Sequence, residues 1–568
     1  MTPTITAADR RVRLADFATL TEALDFAAQG ETGINFYEGR GKLVLAMPYS
    51  VLRTEAQALA GRLLSLGLAP GDRVGLIADT SPDFVRAFFA CQYAGLVPAP
   101  MPLPAALVGK EAYTIQIARM LSAAGAAAAF GPVEFQEWLE AAGQEAGVRF
   151  VQRLDALPES SGAPLPEITP DQMCYLQFSS GSTRSPTGVV VTHRALMANA
   201  RGITRDGLKV VAADRALSWL PLYHDMGLVG FLLSPLSCQM TIDLLPTSGF
   251  VRRPLLWLDL MSRNRATISY SPTFGYELAA RRFHGAEEFD LSAWRVAGIG
   301  GDMVRPGPLE EFSNAFEKVG FKRTAFVPSY GMAEASLGLT MAPLEVGIRT
   351  ISVDIDRMER DGIVVAPQSG ARQRSFVSCG LIFPEHSLEV RDESGAVLPE
   401  HRVGKIFVRG PSLMREYFGQ EEATNAVMRD GWLDTGDLGF LDQGEIVITG
   451  RAKDLMLLNG RNVWPQDIEW TAETSVAGLR TGDVAAFSVV EDDNSERVVV
   501  LVQCRSRDEE VRRRIREGVT GVMRARHGLD VQTYLVGPHA LPQTSSGKLS
   551  RTRARTMFES AAFDLTDS

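Results

Sequence analysis

At 568 residues the chain exceeds what one hydrophobic core usually supports, so two or more domains are expected. Its apolar share of 45% is ordinary for a globular protein, and its net charge of −10 argues against a general nucleic-acid binder, which needs clustered Lys and Arg. The five cysteines include no CxxC pair, so neither a disulfide framework nor a zinc site is indicated. Apolar stretches fall short of the ~20 residues that span a bilayer, and no secretory signal is visible, so we expect a cytoplasmic protein without membrane insertion.

The first two thirds of the chain alternates helix and strand patterns. Apolar residues at helical spacing over 52–70 are followed by a buried-strand pattern over 73–78. Ser81-Pro82-Asp83 then predicts a helix start that ends near Gly95, with a strand over 97–100. The alanines at 123–129 favour helix. This alternation lasts to about residue 340 and predicts an α/β fold of stacked βα units around mainly parallel sheets.

The pattern changes after Leu337. Short apolar runs between 377 and 408 alternate with turn residues, which predicts an antiparallel, β-rich subdomain. Residues 444–450 predict the last strand of the large domain. We therefore predict a large N-terminal domain over 1–452 and a small, mobile α+β domain over 453–568.

The most informative segment is a hydroxyl-rich loop over 179–188 that precedes the apolar run 189–191. Three hydroxyls around a glycine, followed by Pro186 and Gly188, suit contacts with phosphate oxygens through side chains and backbone N–H groups. The loop lacks the spacing GxxxxGK[ST], which disfavours a P-loop NTPase. A simple turn between two strands is the alternative interpretation.

Further polar segments follow the loop. A His224-Asp225 pair in an apolar context suggests either a cavity or a hydrogen-bonded core histidine, and a metal site is disfavoured because no second ligand has suitable spacing. Glycines at 298–301 before Asp302 predict either a flat ligand near the backbone or a tight turn. Glu334 lies among small and apolar residues, as a cation-binding carboxylate would. Carboxylates and arginines at 434–437 and 451–462 could bind ribose and phosphate, and the lysine of segment 544–549 could enter a site or lie on a surface loop.

In this order, and over roughly residues 30–555, these segments resemble the core motifs of the adenylate-forming superfamily, which includes acyl-CoA synthetases, peptide-synthetase adenylation domains and luciferases. Three departures from the common motifs are similar to the fatty acyl-AMP ligase branch: Arg184 in place of Gly, Thr187 in place of Lys, and Ala333 in place of Thr. The segments 219–228 and 460–469 match that branch as well. The resemblance implies a fatty acyl-AMP ligase that uses ATP and Mg²⁺.

The resemblance also implies roles for individual residues. Lys548, His224 and Glu334 would act in catalysis, with Glu334 also holding Mg²⁺, and Lys453 would be the hinge of the small domain. The acyl chain would meet His224, Asp225, Gly227, Phe274 and Tyr276. The nucleotide would be bound by Ser180, Gly181, Ser182, Thr183 and Arg184 at the pyrophosphate end, by Gly300, Gly301, Asp302, Ser329, Tyr330, Gly331 and Met332 around the adenine, and by Asp437 and Arg451 at the ribose.

About forty residues separate Glu334 from the strand that begins near Phe376, more than acyl-CoA synthetases typically have. The segment 345–375 would then be the insertion typical of acyl-AMP ligases, which is thought to restrain the small domain, although an ordinary surface excursion is the alternative. We expect activation of a fatty acid to its adenylate and transfer to the phosphopantetheine thiol of an acyl carrier protein. A fatty acyl-CoA synthetase is the runner-up, and a nucleotide-binding protein without catalysis is disfavoured. We expect a monomer or weak dimer.

Overall fold

The computed structural model describes residues 13–104, 109–178, 186–285, 288–458, 461–490, 496–544 and 548–563. Helices and strands alternate along the first part of the chain. Its strands are β1 Gly33–Tyr37, β2 Leu43–Pro48, β3 Arg73–Ile77, β4 Val97–Met101, β5 Ala126–Phe130, β6 Phe150–Val151, β7 Met173–Phe178, β8 Gly188–Thr192, β9 Arg215–Ser218, β10 Thr241–Leu244, β11 Ile268–Ser271, β12 Val296–Ile299, β13 Phe326–Gly331 and β14 Gly338–Met341. Its helices are α1 Leu20–Ala27, α2 Tyr49–Leu64, α3 Pro82–Tyr93, α4 Lys110–Ala124, α5 Gln136–Ala146, α6 His193–Arg201, α7 Asp225–Leu228, α8 Ser234–Leu236, α9 Thr247–Arg252, α10 Leu255–Arg263, α11 Thr273–Arg282 and α12 Pro306–Phe316, with π-helical segments at Gly202–Gly207 and Val229–Leu233.

The rest of the chain is richer in strands. It contains β15 Thr350–Asp354, α13 Ile355–Asp361, β16 Gln373–Val377, β17 Leu381–Ile382, β18 Ser387–Arg391, β19 Gly404–Arg409, α14 Glu421–Val427, β20 Met428–Arg429, β21 Trp432–Asp442, β22 Glu445–Arg451, β23 Met456–Leu458, β24 Arg461–Val463, α15 Pro465–Ser475, β25 Val484–Val490, β26 Glu496–Gln503, α16 Glu509–His527, β27 Val531–Val536 and α17 Arg551–Glu559.

The largest sheet has nine strands in the order β17-β14-β13-β12-β11-β9-β10-β1-β2. Its six middle strands pair in parallel, and antiparallel strands close both edges. A second parallel sheet has the order β4-β3-β5-β6. Strands β18 to β22 form an antiparallel sheet, and β25, β26 and β27 form a separate mixed one. The predicted α/β class with a β-rich section is therefore confirmed.

Local sequence explains some element boundaries, and tertiary packing explains others. Helix α3 begins where predicted, because the Ser81 hydroxyl accepts a hydrogen bond from the Phe84 N–H and Pro82 occupies the first turn. The helix predicted over 123–129 is wrong beyond Ala124. Gly125 has φ +55° and ends α4, and residues 126–130 then form β5, which pairs with β3. Burial between sheet neighbours overrides the helix propensity of alanine there.

Segment 345–375 is folded rather than extended, since it contains β15, α13 and the start of β16. Its apolar residues Val353 and Met358 share a buried cluster with Phe376 of β16, with Phe440 of β21 and with Trp464. Separate apolar clusters beyond residue 456 form the core of the C-terminal segment. They support a domain boundary near residue 452, which stays a prediction.

All five cysteines are free thiols with buried side chains. Cys91, Cys174, Cys238 and Cys379 belong to the main core, and Cys504 belongs to the core of the C-terminal segment. Burial raises the pKa of the Cys91 and Cys379 thiols, the latter to about 12.

Among the described residues, none of the helices combines the length and the apolar character needed to cross a bilayer.

Candidate active site

One cavity of about 420 Å³ lies between the large parallel sheet and the C-terminal segment. It opens where β11, β12 and β13 end, which is where ligands bind in open parallel sheets. Most of the predicted site residues line it: His224, Asp225, Gly300, Gly301, Asp302, Ser329, Tyr330, Gly331, Met332, Glu334, Asp437, Arg451, Lys453 and Lys548. The predicted phosphate-loop residues Ser180, Gly181, Ser182, Thr183 and Arg184 lie outside the described residues.

His224 and Asp225 stand at the start of α7. The Nδ1 atom of His224 lies 2.7 Å from Oδ1 of Asp225, which also accepts a hydrogen bond from the Met226 N–H. Burial alone would raise the pKa of Asp225, but its neighbours His224, Lys548 and Met226 lower it instead. Asp225 is therefore an anion that orients the imidazole, and the ammonium of Lys548 is close enough to stabilise its negative charge. Gly227 is required by backbone packing, since a Cβ there would lie 2.2 Å from the Pro221 carbonyl oxygen.

Asp437 and Arg451 face each other because they are paired residues on β21 and β22. The Arg451 Nε atom lies 3.3 Å from Oδ1 of Asp437, and the Tyr330 hydroxyl donates to Oδ2 at 2.8 Å. The Asp437 carboxylate, which is 6% exposed, raises the pKa of Arg451 above its ordinary value. The result is a buried carboxylate with one guanidinium and one phenol, a group that can accept hydrogen bonds from hydroxyls such as those of a ribose.

Glu334 lies in a short 3₁₀ turn, Ala333–Ala335, that follows β13. Its Oε1 atom accepts a hydrogen bond of 2.9 Å from the hydroxyl of Tyr417. Burial raises the pKa of this carboxyl, while Tyr417 and Arg451 act in the opposite direction. Ser336 has φ +66°, unusual for a residue other than glycine, and its hydroxyl donates to the Ser412 carbonyl at 2.9 Å. Tyr417 and Ser412 were not anticipated from the sequence.

The glycines after β12 leave one wall of the cavity flat. Gly301 has φ +79°, and a Cβ on Gly300 or Gly301 would lie 3.4 Å from Ser329 O or from Met226 Cε. Asp302 is exposed, and its carboxylate accepts a hydrogen bond from the Met303 N–H. A flat ring can approach this backbone closely.

Part of the cavity lining is apolar, and this part is here called the apolar branch. It is lined by side chains that carry no distinctive sequence pattern: Ile203, Leu208, Phe231, Ile268, Tyr270, Leu337 and Met341. Two walls come from the π-helical segments, which are often found at functional sites. Ordinary apolar residues look the same in a core and in a pocket, so the sequence could not distinguish them.

Phe274 and Tyr276 do not line this branch. Tyr276 has no exposed surface, packs among Trp257, Trp294 and Phe312, and donates its hydroxyl hydrogen to the Gly298 carbonyl at 2.9 Å. Phe274 is 40% exposed and packs edge-on against Trp219. Helix α11 begins at Thr273 and directs Tyr276 into the aromatic core, which is not where an acyl-binding residue is expected.

The C-terminal segment supplies Lys548. Its backbone N–H donates to the Thr544 hydroxyl at 3.2 Å, and the Thr544 N–H donates to the Lys548 carbonyl at 2.7 Å. Three residues later, the half-buried guanidinium of Arg551 binds Glu469 at 2.7 Å and Asp454 at 3.0 Å. The ion pairs of Arg551 hold the start of α17 against Glu469 of α15 and against Asp454, and Lys548, three residues earlier, lines the cavity.

Comparison with known proteins agrees with this geometry. Residues 45–418 match the AMP-binding enzyme family. The chain belongs to that family. A relative in Caulobacter vibrioides, provisionally named an acyl-CoA synthetase, is 60% identical over 98% of both chains. The medium-chain-fatty-acid–[acyl-carrier-protein] ligase JamA of Moorena producens is 32% identical over 97% of this chain and 96% of its own. A structure from a study of fatty acyl-adenylate ligases of E. coli and L. pneumophila superposes with a TM-score of 0.93 at 42% identity, covering 97% of this chain and 100% of the other.

This AMP-binding enzyme is therefore an ATP-dependent, adenylate-forming ligase, and its relatives include fatty acyl-AMP ligases. The cavity contains the polar residues that the sequence resemblance picked out, apart from the loop at 180–184. The individual roles of these residues stay predictions.

Proposed function

We propose that the protein activates a fatty acid with ATP, forming an acyl-adenylate and pyrophosphate, and passes the acyl group to the thiol of a carrier protein with release of AMP. The observation that carries this proposal is the two-part cavity. Its polar part holds His224, Asp437, Arg451 and Lys548, and its other part is an apolar branch. A charged head and a long hydrocarbon tail fit such a space together.

In the first step the fatty carboxylate attacks the α-phosphorus of ATP, and the bond to pyrophosphate breaks. Negative charge accumulates on the phosphate oxygens, so fixed cations and donors lower the barrier most. Lys548 would bridge the carboxylate and the α-phosphate. His224, oriented by Asp225 at 2.7 Å, would stand where the carboxyl group enters.

The nucleotide would use the remaining polar residues. Asp437 and Arg451 would bind the ribose, the adenine would lie between the glycines at 300–301 and Tyr330, and the loop residues Ser180, Gly181, Ser182, Thr183 and Arg184 would bind the pyrophosphate end. Unchanged ATP affinity in an Asp437→Ala variant, measured by calorimetry, would remove Asp437 from this site.

Glu334 is the residue suited to hold Mg²⁺. Among the described residues no group of three or more His, Cys, Asp or Glu side chains could hold a metal. One half-buried carboxylate in the cavity wall fits Mg²⁺ nonetheless, because this ion is commonly bound by one or two carboxylates together with substrate phosphates. When bound there, the ion would neutralise charge on the phosphates.

The apolar branch favours a hydrocarbon chain as the substrate tail. Each buried CH₂ group contributes about 0.8 kcal/mol, so long chains gain several kcal/mol over acetate. The names of the relatives, which include medium-chain and long-chain fatty acid ligases, support the same class.

A carrier protein is proposed as the acceptor because segment 345–375 is packed against the C-terminal segment. Arg374 forms an ion pair with Asp467, and α13 of the segment lies against β24. This restraint would disfavour the arrangement that transfers to CoA, and JamA is named as a carrier-protein ligase. A fatty acyl-CoA synthetase is the second candidate, which the name of the Caulobacter relative favours.

The test is a series of carboxylic acids from acetate to C16, with pyrophosphate release measured alone, with CoA and with a phosphopantetheinylated carrier protein. We expect release with C8–C16 acids, acylated carrier, and little acyl-CoA. Equal activation of acetate, benzoate and long acids would contradict the fatty-acid assignment. Acyl-CoA synthesis as fast as carrier loading would instead favour a fatty acyl-CoA synthetase.

A further inference from the structure

Residues 412–418 form a short irregular segment, here called the strap, that runs beside Glu334. The backbone N–H of Met414 donates to the Glu334 carbonyl at 2.7 Å, and the Tyr417 hydroxyl donates to Glu334 Oε1 at 2.9 Å. The Ser412 carbonyl accepts from the hydroxyl of Ser336, the residue with positive φ two positions after Glu334. The strap thus binds both the backbone and the carboxylate of Glu334.

The opposite edge of the strap is hydrogen-bonded to β8, the strand that follows the predicted phosphate loop in the sequence. Val190 N–H donates to Glu416 O at 3.0 Å, Arg415 N–H donates to Val190 O at 3.0 Å, and Phe418 N–H donates to Gly188 O at 2.8 Å. Tyr417 itself is paired with Val189 as an isolated bridge. The strap therefore connects β8 to Glu334 through a ladder of backbone bonds and one side-chain hydroxyl.

We propose that Tyr417 is a positioning residue for Glu334, and that the strap fixes this carboxylate relative to β8. The inference rests on the proposed role of Glu334 at the Mg²⁺–phosphate position. A carboxylate in a one-turn 3₁₀ segment has little local support. A phenol that donates to one oxygen fixes the carboxylate plane and leaves the second oxygen for the ion. Partners that hold a ligand in this way typically matter 10- to 100-fold for metal affinity or activity.

The strained backbone at Ser336 supports the same interpretation. The Leu337 N–H donates to the Ala335 carbonyl at 2.8 Å, a tight turn centred on Ser336, where φ is +66°. Such a turn is rare and costly for a residue with a side chain, and it persists only where the surroundings hold it. Here the hydroxyl bond from Ser336 to the strap supplies that support.

The test is calorimetric binding of α,β-methylene-ATP to the full chain with and without Mg²⁺. The ratio of the two dissociation constants gives the gain in affinity due to the ion. We expect Tyr417→Phe to reduce this gain by roughly 10- to 100-fold, or to abolish it, and to leave metal-free binding within about twofold. Tyr49→Phe is the matched control, since it removes one buried hydroxyl bond, to the Met240 carbonyl, and Tyr49 does not line the cavity. It should keep the full gain.

The Glu334→Gln variant distinguishes a wrong metal role for Glu334 from a wrong positioning role for Tyr417. If it keeps the Mg²⁺ gain, the metal role of Glu334 is wrong and the inference falls with it. If it loses the gain while Tyr417→Phe keeps it within twofold, only the inference about Tyr417 is overturned. Should Tyr417→Phe fail to fold, Ser336→Ala tests the strap instead, because it removes the hydroxyl bond to the Ser412 carbonyl. A full Mg²⁺ gain in that variant would overturn the proposal that the strap fixes Glu334.

Discussion

Lys548 lies near two carboxyls of the cavity. Burial raises the pKa of Asp437 although Arg451, Tyr330 and Lys548 act against it, whereas at Asp225 His224 and Lys548 outweigh burial and lower the pKa. Lys548 is the residue on which the chemical step depends most in the proposed reaction. Lys548→Ala should lower adenylate formation by about 10²- to 10³-fold, because one aligned donor to a developing charge contributes that much. The measurement is pyrophosphate release with a C12 acid.

The matched control is Lys322→Ala, which removes an exposed lysine outside the cavity and should leave the rate unchanged. Adenylate formation by Lys548→Ala at a rate near that of the parent would remove this lysine from the reaction. A loss of folding would appear as a lower thermal midpoint, which we do not expect for a residue on a loop.

Glu473 predicts a pH effect on stability. Burial, followed by the nearby Glu469, raises the pKa of this carboxyl from its ordinary 4.5 to about 8. Between pH 5 and 8 the folded protein therefore keeps a proton that the unfolded chain loses, and stability falls as pH rises through this window. Glu473→Gln keeps an acceptor for the Gly482 N–H and removes the titration.

We expect the variant to match the parent near pH 5 and to unfold at an increasingly higher temperature than the parent toward pH 8. Thermal unfolding at pH 5, 6.5 and 8 measures the difference. Glu145→Gln, an exposed carboxyl, should show no such trend. A temperature difference that is constant with pH would show that Glu473 does not hold its proton.

At the scale of elements, Arg374 at the end of segment 345–375 connects the β-rich subdomain to α15. It pairs with Asp467, and its guanidinium lies 4.2 Å from the Phe376 ring centroid and 5.2 Å from that of Trp470. Replacing Arg374 alone would leave a buried carboxylate unpaired, so the double variant Arg374→Met/Asp467→Leu is preferable. We expect faster hydrogen exchange over 461–475 and a larger share of acyl-CoA among the products.

The control for this pair is Arg357→Met, which breaks an exposed ion pair with Asp361 on α13 of the same segment. It should change neither exchange nor product ratio. If the double variant shows faster hydrogen exchange and yet forms no more acyl-CoA than the parent, the packing of segment 345–375 against α15 does not determine the acceptor. Deleting all of 345–375 is a poorer test, because Val353 and Met358 would be lost from a shared core.

The elements that the sequence could predict are those with local signals. Helix α3 has a cap and a first-turn proline, and β3 has a buried apolar run between turns. Strand β5 was missed because its alanines favour helix and only its neighbours make it a strand. The polar side of the cavity was predictable from unusual residues such as His224 and Glu334. The apolar branch and Tyr417 were not, since they depend on which segments meet in space.

At the scale of the whole molecule, the cavity has residues of both the large domain and the C-terminal segment in its walls. Lys548 and Arg551 come from one side, and Asp437 and Glu334 come from the other. The proposed hinge at Lys453 lies at the junction and also lines the cavity. In the proposed cycle, transfer to a thiol requires that Lys548 withdraw, so the two half-reactions would use different arrangements of the same chain.

This requirement predicts a separation of the half-reactions. Lys548→Ala supplied with preformed dodecanoyl-adenylate should acylate the carrier at a rate within a few-fold of the parent, because the lysine has left the site in that step. The measurement is carrier acylation followed by mass spectrometry, with the unmodified chain as reference. A loss of transfer as large as the loss of adenylation would mean that both steps use one arrangement.

The buried thiols give the molecule an internal reporter of its own opening. A maleimide can label a cysteine only after the packing around it has separated, and here the reporters are divided between cores, four in the main one and Cys504 in the C-terminal one. Along a series of denaturant concentrations, the order in which the cysteine-containing peptides become labelled would reveal which core unfolds first. If Cys504 is labelled while Cys91 and Cys174 are still protected, the C-terminal segment opens as an independent unit, and no engineered probe is needed to observe it.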